Sequence, residues 1–303
     1  MTKVSYGHLT NEFRRYHIKH GRCIFIMDGR GITVSYMGGM GNQMFIVAAG
    51  YAAHRATGLP LFLPIPVLED NKHNMKRYNY LESIFKYFGT HLPFIINSPH
   101  FRAFHAQFGY KEHELSIYKG FEPWDPTNVK PATHMASYYQ YYPAISPYEN
   151  EIRALFSNGL VEYRAKFSIE SSAAFLHIRR GDFLESSHVF YIQPLSYYME
   201  AVNVLLQKNT NVKKIYILSD DIQWVKEQSM FRIDLFEIYE GDDELDALAL
   251  MSLCTEGAIC ANSTFSWWGA FLGAYGTRRP VIIPNKWMAA NIVDLFPSEW
   301  IRI

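Results

Sequence analysis

The chain has 303 residues, 49% hydrophobic and 16% aromatic, with 29 basic and 29 acidic side chains and a formal net charge of zero. That length accommodates two ordinary domains, and the lack of a basic surplus argues against a nucleic-acid backbone as the main partner, leaving room only for a local basic patch. No stretch approaches the ~20 apolar residues of a membrane span and the first residues lack the apolar core of a secretory signal, so no integral membrane segment and a cytoplasmic location are expected; a chain stripped of an anchor would read the same.

Residues 22–36 hold CIFIM and ITVSY around DGRG, two strand-like runs about a D-G turn signal, which predicts a β-hairpin. Next comes YMGGMGNQMF, residues 36–45, followed by a predicted helix from Gln43 to Thr57 with Gly58 as its stop, and a strand from Leu59 to Leu63. Strand, glycine turn and helix together suggest a nucleotide-binding βα unit. The dinucleotide fingerprint G-x-G-x-x-G is only half met. Gly39 and Gly41 fit, Met44 stands where the third glycine belongs, and the first carboxylates, Glu69 and Asp70, come too late to meet a ribose. A nucleotide-dependent oxidoreductase is therefore disfavoured, and the loop is either a ligand cradle or a plain tight turn.

From Pro64 to Pro147 the pattern is irregular and rich in Tyr, Phe, His and Pro, densest at SYYQYYP, residues 137–143. Long loops of this kind tend to be binding elements. A helix is expected over Tyr148 to Phe156, a strand over Ala173 to Ile178, a helix with Pro194 at its first position, and a strand over Lys214 to Asp220. DIQWVKEQ, LFEIYE, DDELDALALMSLC, GAICAN, STFSWWGAFLGAYG and RRPVIIP continue the alternation. Repeated βα units predict a parallel, doubly wound sheet from about residue 168 to the end, with a boundary near 155–170 that divides the chain into domains 1–165 and 166–303. Cys23, Cys254 and Cys260 lack metal-ligand spacing and read as buried thiols of a reducing compartment.

The polar clusters of the second half fall at the carboxyl ends of its strands, where open α/β sheets bind ligands: HIRRGD (His177 to Asp182), SDD (Ser219 to Asp221) and NSTFSWWG (Asn262 to Gly269). Arg179 and Arg180 offer guanidinium forks to a phosphate or diphosphate, with Asp182 orienting one of them. Ser263 and Thr264 stand at a helix start, either as caps or as donors to an anion. Trp267 and Trp268 either pack on the sheet or stack on a base. Asp220 and Asp221 either cap the next helix or face the cleft, and His177 is either structural or functional.

Together, GGMGNQMF (38–45), SYYQYYP, HIRRGDF (177–183), LSDDIQWVK (218–226), LMSLC with ANSTFSWWGAFL (250–272) and VIIPNKW (281–287) resemble the α-1,2-fucosyltransferase family of GDP-fucose-dependent transferases from about residue 31 to the end. The resemblance implies an α/β, GT-B-like fold: two Rossmann-like domains facing a central cleft, the first on the acceptor side behind an extension of about 30 residues. It also implies an inverting transfer of fucose from GDP-β-L-fucose to the 2-hydroxyl of a galactose-terminated glycan. Carried over position by position, Arg180, Asn42 and Asp182 are the expected catalytic residues, with Arg180 holding the diphosphate. His177, Arg179, Ser219, Asp220, Asn262, Ser263, Thr264 and Phe265 are expected on GDP-fucose, with Gly39, Gly41 and Asn42 near its sugar. Relatives carry a guanine-binding Asp where this chain has Ala247, so Asp246 is the candidate in its place. No D-x-D triplet is present to hold a divalent ion, so neither a metal nor another cofactor is expected. A different fucosyl linkage, another GDP-sugar, or a non-catalytic carbohydrate-binding protein remain as alternatives, and no general base stands out.

Overall fold

A computed structural model describes residues 31–65, 79–95, 111–112, 120–273, 279–288 and 295–303. Two parallel sheets organise them. One contains β1 (Ile32–Val34), β2 (Leu61–Ile65), β3 (Thr90–Ile95), β4 (Lys111–Glu112) and β5 (Thr133–Met135), in the spatial order β3-β2-β1-β5-β4. The other contains β6 (Ala173–Ile178), β7 (Lys214–Ser219), β8 (Phe236–Ile238), β9 (Gly257–Ile259), β10 (Val281–Ile283) and β11 (Ile301–Arg302), in the order β11-β10-β9-β6-β7-β8. The second is the doubly wound order of a Rossmann sheet. All six residues of β6 are buried, as a strand covered on both faces requires, which is why AAFLHI reads as a continuous apolar run.

The principal helices are α1 (Met40–Thr57), α2 (Glu149–Gly159), α3 (Gly181–Glu185), α4 (Leu195–Lys208), α5 (Ile222–Glu227), α6 (Glu244–Leu253) and α7 (Thr264–Gly273). Helix α1 starts at Met40, earlier than the expected Gln43, because Gly38 turns the chain at φ 68° and Gly39 leads directly into the helix. Its end is as expected: Gly58 is left-handed and its N–H bonds the His54 carbonyl at 2.8 Å. Pro194 is still extended (φ −71°, ψ 159°), so it caps α4 and is not the first helical residue.

The expected hairpin is not formed by β1. Its two edges are filled by parallel neighbours, Ile32 lying opposite Leu61 of β2 and Thr133 of β5. Residues 23–27, the other half of that expectation, lie outside the described residues. The irregular stretch 64–147 supplies β3, β4 and β5, the last two only two and three residues long, too short to leave a periodic signal.

The two sheets share one core. Helix α7 is apolar around its whole circumference and is buried from Ser266 to Gly273, as such a helix must be. It packs on α1 through Phe45, whose ring lies 4.7 Å from Trp267 and 4.9 Å from Trp268, while Phe156 of α2 meets Trp268 at 4.9 Å. Both tryptophans are fully buried, so their alternative role as a stacking surface for a base is ruled out. Cys254 and Cys260 are buried free thiols, pushed up to about 12 by burial; Cys23 lies outside the described residues. Among the described residues no helix is long and apolar enough to cross a membrane.

Candidate active site

The second sheet has a switch point at β6/β9, where connections leave in opposite directions, and in the first sheet β1 and β5 lie side by side at its centre. Ligands of parallel sheets bind at the carboxyl ends of strands at such points. The loops after all four strands wall a single cleft of about 760 Å³, within the range of small-molecule sites.

The glycine loop is the hinge of this arrangement. Gly41 lies so close to α7 that a Cβ would fall 2.5 Å from both the Phe265 nitrogen and the Thr264 carbonyl carbon. Its own carbonyl accepts the indole N–H of Trp268 at 2.9 Å. Next to it, the Asn42 Oδ1 accepts two hydrogen bonds, from Thr264 Oγ1 at 2.8 Å and from Gln140 Nε2 at 2.9 Å. Glycine thus serves close packing of two helix starts, and the N-termini of α1 and α7 both open on the cleft. Unpaired amides and the helix dipoles there favour an anion.

Arg179, in the loop after β6, also lines the cleft. Its guanidinium spans Asp182, at 2.8 Å, and Asp220, at 3.0 Å, leaving further N–H groups for a ligand. Arg180 faces elsewhere: its Nε meets Asp221 at 3.1 Å and its guanidinium lies over the Trp224 ring at 4.1 Å. Of the two arginines, then, Arg179 lines the cleft and Arg180 does not, whereas the resemblance gives the diphosphate to Arg180. The SDD cluster divides in the same way. The Asp221 carboxylate caps α5 by accepting the Trp224 N–H at 3.1 Å, while Ser219 Oγ accepts the Asp221 N–H and Asp220 faces the cleft.

His177, the fifth residue of β6, lines the cleft at only 4% exposure, its ring 5.6 Å from that of Phe265. Burial, helped by the Arg179 charge, lowers its pKa to about 3, so the imidazole is neutral. Its Nδ1 is buried without a hydrogen-bond partner. Asn262 follows β9, its Nδ2 donating to the carbonyls of Tyr191 and Trp287, both at 2.7 Å. Ser263 precedes α7 and accepts the Phe265 N–H weakly, at 3.3 Å. Gly39, Gly41, Asn42, Asp182, Ser219, Asn262, Ser263, Thr264 and Phe265 all line the cleft.

Asp246 does not. It pairs with Lys166 at 2.6 Å outside the cleft, whose lining includes Ala247 instead. Sequence reasoning also passed over several lining residues. Phe183 and Phe190 stack at 4.2 Å beside Arg179, and Phe121, Tyr138 and Gln140 reach in from the first lobe. The SYYQYYP run was the available signal for the last two.

The family described as "Glycosyl transferase family 11" matches residues 30–303. Among curated proteins, the chain is 30% identical over 190 residues to "O-antigen biosynthesis glycosyltransferase WbnK" of Escherichia coli, covering 58% of this chain and 62% of that one. It is 34% identical over 137 residues to an "Alpha-1,2-colitosyltransferase" of Escherichia coli, covering 42% and 46% respectively. The matched stretches thus span about half to three-fifths of those relatives. Among solved structures, "POFUT1 in complex with GDP-fucose" superposes with a TM-score of 0.50 at 15% identity, covering 85% of this chain and 98% of that one. That likeness concerns the fold, and it agrees with two Rossmann-like lobes in a GT-B arrangement.

Proposed function

The chain belongs to glycosyl transferase family 11, and from that premise we propose that it is a galactoside 2-alpha-L-fucosyltransferase, moving L-fucose from GDP-β-L-fucose to the 2-hydroxyl of a terminal β-galactoside. The observation that carries this reading is the meeting in one cleft of Arg179, the α7 helix start at Ser263 and Thr264, and Asn42 of the glycine loop. A cation and a helix N-terminus on one side suit a diphosphate, and the carboxamide at their edge suits the sugar attached to it.

In the transfer, the bond between the anomeric carbon and the β-phosphate oxygen breaks, its electron pair going to GDP. The acceptor oxygen forms the new bond from the opposite face, and its proton passes to water or to the departing diphosphate. Negative charge grows on the departing diphosphate, and preorganised donors aimed there commonly supply ~10²–10³ in rate each. Arg179, pre-set by Asp182 and Asp220, is the principal such donor, with the α7 amides beside it. Asn42, fixed by Thr264 and Gln140, orients a hydroxyl and is too weak a base to take the proton. With these groups in the place of a divalent ion, the reaction proceeds without metal.

A donor bearing another deoxysugar is the second reading, favoured by the colitosyltransferase relative. One assay tests both: GDP release from GDP-fucose with a β-galactoside, in EDTA, with the product linkage read by NMR. The expected result is acceptor-dependent release and an α-1,2 product. Release from a different GDP-sugar alone would favour the second reading, and no release from any GDP-sugar would refute both.

A further inference from the structure

We infer that Tyr138 and Phe121 form the acceptor platform, an aromatic surface that receives a pyranoside by its apolar C–H face; this rests on the transfer reading of the cleft. Asn42 gives the direction. Its Oδ1 lies between Thr264, at the start of α7, and Gln140, two residues beyond Tyr138. Displacement at an anomeric carbon brings the acceptor oxygen in opposite the leaving group. With the diphosphate against Arg179 and α7, the acceptor enters from the Gln140 side. Among the described residues lining the cleft there, Phe121 and Tyr138 carry the aromatic rings, and both are half-buried.

The backbone is shaped to present them. Tyr139 adopts φ 51°, a left-handed conformation rare for a bulky side chain, of the kind that clusters at ligand sites. Its own ring is turned into the core against Trp124, centroids 5.3 Å apart, while its neighbours Tyr138 and Gln140 reach the cleft. The turn is pinned to the Phe121 segment: the Gln140 N–H donates to the Gly120 carbonyl at 2.7 Å, and a Cβ on Gly120 would lie 2.8 Å from that of Tyr138. A ring face of this kind matches the C–H face of a hexopyranoside such as galactose, whose hydroxyls then point to its edges.

The test compares wild type, Tyr138→Leu and Tyr138→Phe. Saturation-transfer NMR with methyl β-D-galactopyranoside should show ring-proton contacts in wild type and Tyr138→Phe, and at least a tenfold loss of signal-derived affinity in Tyr138→Leu. Acceptor KM should rise tenfold or more in Tyr138→Leu, while GDP affinity by calorimetry stays within twofold. Undiminished sugar contacts in Tyr138→Leu, a parallel fall in its GDP affinity, or no sugar contact in wild type would each overturn the platform. Should Tyr138→Leu fail to fold, Phe121→Leu is read by the same criteria. If wild type bound the galactoside as expected yet failed to bind GDP, the transferase reading alone would fall.

Discussion

Alanine at Gly41 puts a methyl group into the seam between the lobes. The added carbon would sit 2.5 Å from the Phe265 nitrogen and the Thr264 carbonyl carbon, and 2.7 Å from Thr264 Oγ1, where ordinary contact begins at 3.4 Å. Two of these are backbone atoms, and the third is held by Asn42, so none swings aside cheaply. The start of α7 must retreat by about 1 Å. Overpacking of this kind costs about 1–3 kcal/mol, which for a chain of this length lowers Tm by about 3 °C. The larger effect falls on turnover, because a displacement of about 1 Å in the anion-binding amides can cost ~10²-fold. Calorimetry and GDP-release kinetics on Gly41→Ala measure both. Gly39→Ala is the structural control, since no atom lies within 4 Å of its Cβ and its φ of −73° suits alanine. Wild-type melting and turnover in Gly41→Ala would refute the close-packed seam.

Trp268→Phe removes the indole donor from the buried Gly41 carbonyl, which keeps only its bond within α1. The expected loss from the bond is about 0.5–1.5 kcal/mol by urea denaturation, and an unchanged midpoint would contradict the role of this bond. His177 is held neutral to about pH 3 in the folded protein but titrates near 6.5 when unfolded. Between those values the unfolded chain binds the extra proton, so stability falls as pH falls, by up to about 1.4 kcal/mol per unit. His177→Asn should therefore be less acid-sensitive between pH 6.5 and 5 than wild type, with stability measured by chemical denaturation at each pH. Equal slopes would show that the imidazole is not buried neutral.

The second lobe was largely legible because β6 and β7 are six residues each and the remaining strands alternate regularly with helices. AAFLHI coincides with β6 residue for residue. The first lobe was not, since its strands are separated by long irregular connections and pair with distant partners: the local D-G turn suggested a hairpin, yet β1 pairs with β5 about a hundred residues later. Residue types at the site were legible, but their directions were not. Arg179 and Arg180 look alike in sequence; the break in backbone at Arg180, φ −139° and ψ −50°, sends its side chain to Trp224. Asp246 and Ala247 are consecutive on α6, where each residue turns about 100°, and only Ala247 lines the cleft. Tyr138 and Gln140 stood within a run already marked as unusual, but only the turn at Tyr139 shows which of its side chains reach the ligand space.

Calorimetric titration of GDP into wild type, Arg179→Ala and Arg180→Ala tests the central claim most directly. Charged hydrogen bonds to phosphate contribute about 1.5–3 kcal/mol each, so Arg179→Ala should weaken GDP binding by about 10–100-fold, with Arg180→Ala remaining within a few fold of wild type. GDP binding that survives loss of Arg179 and collapses with loss of Arg180 would contradict the account.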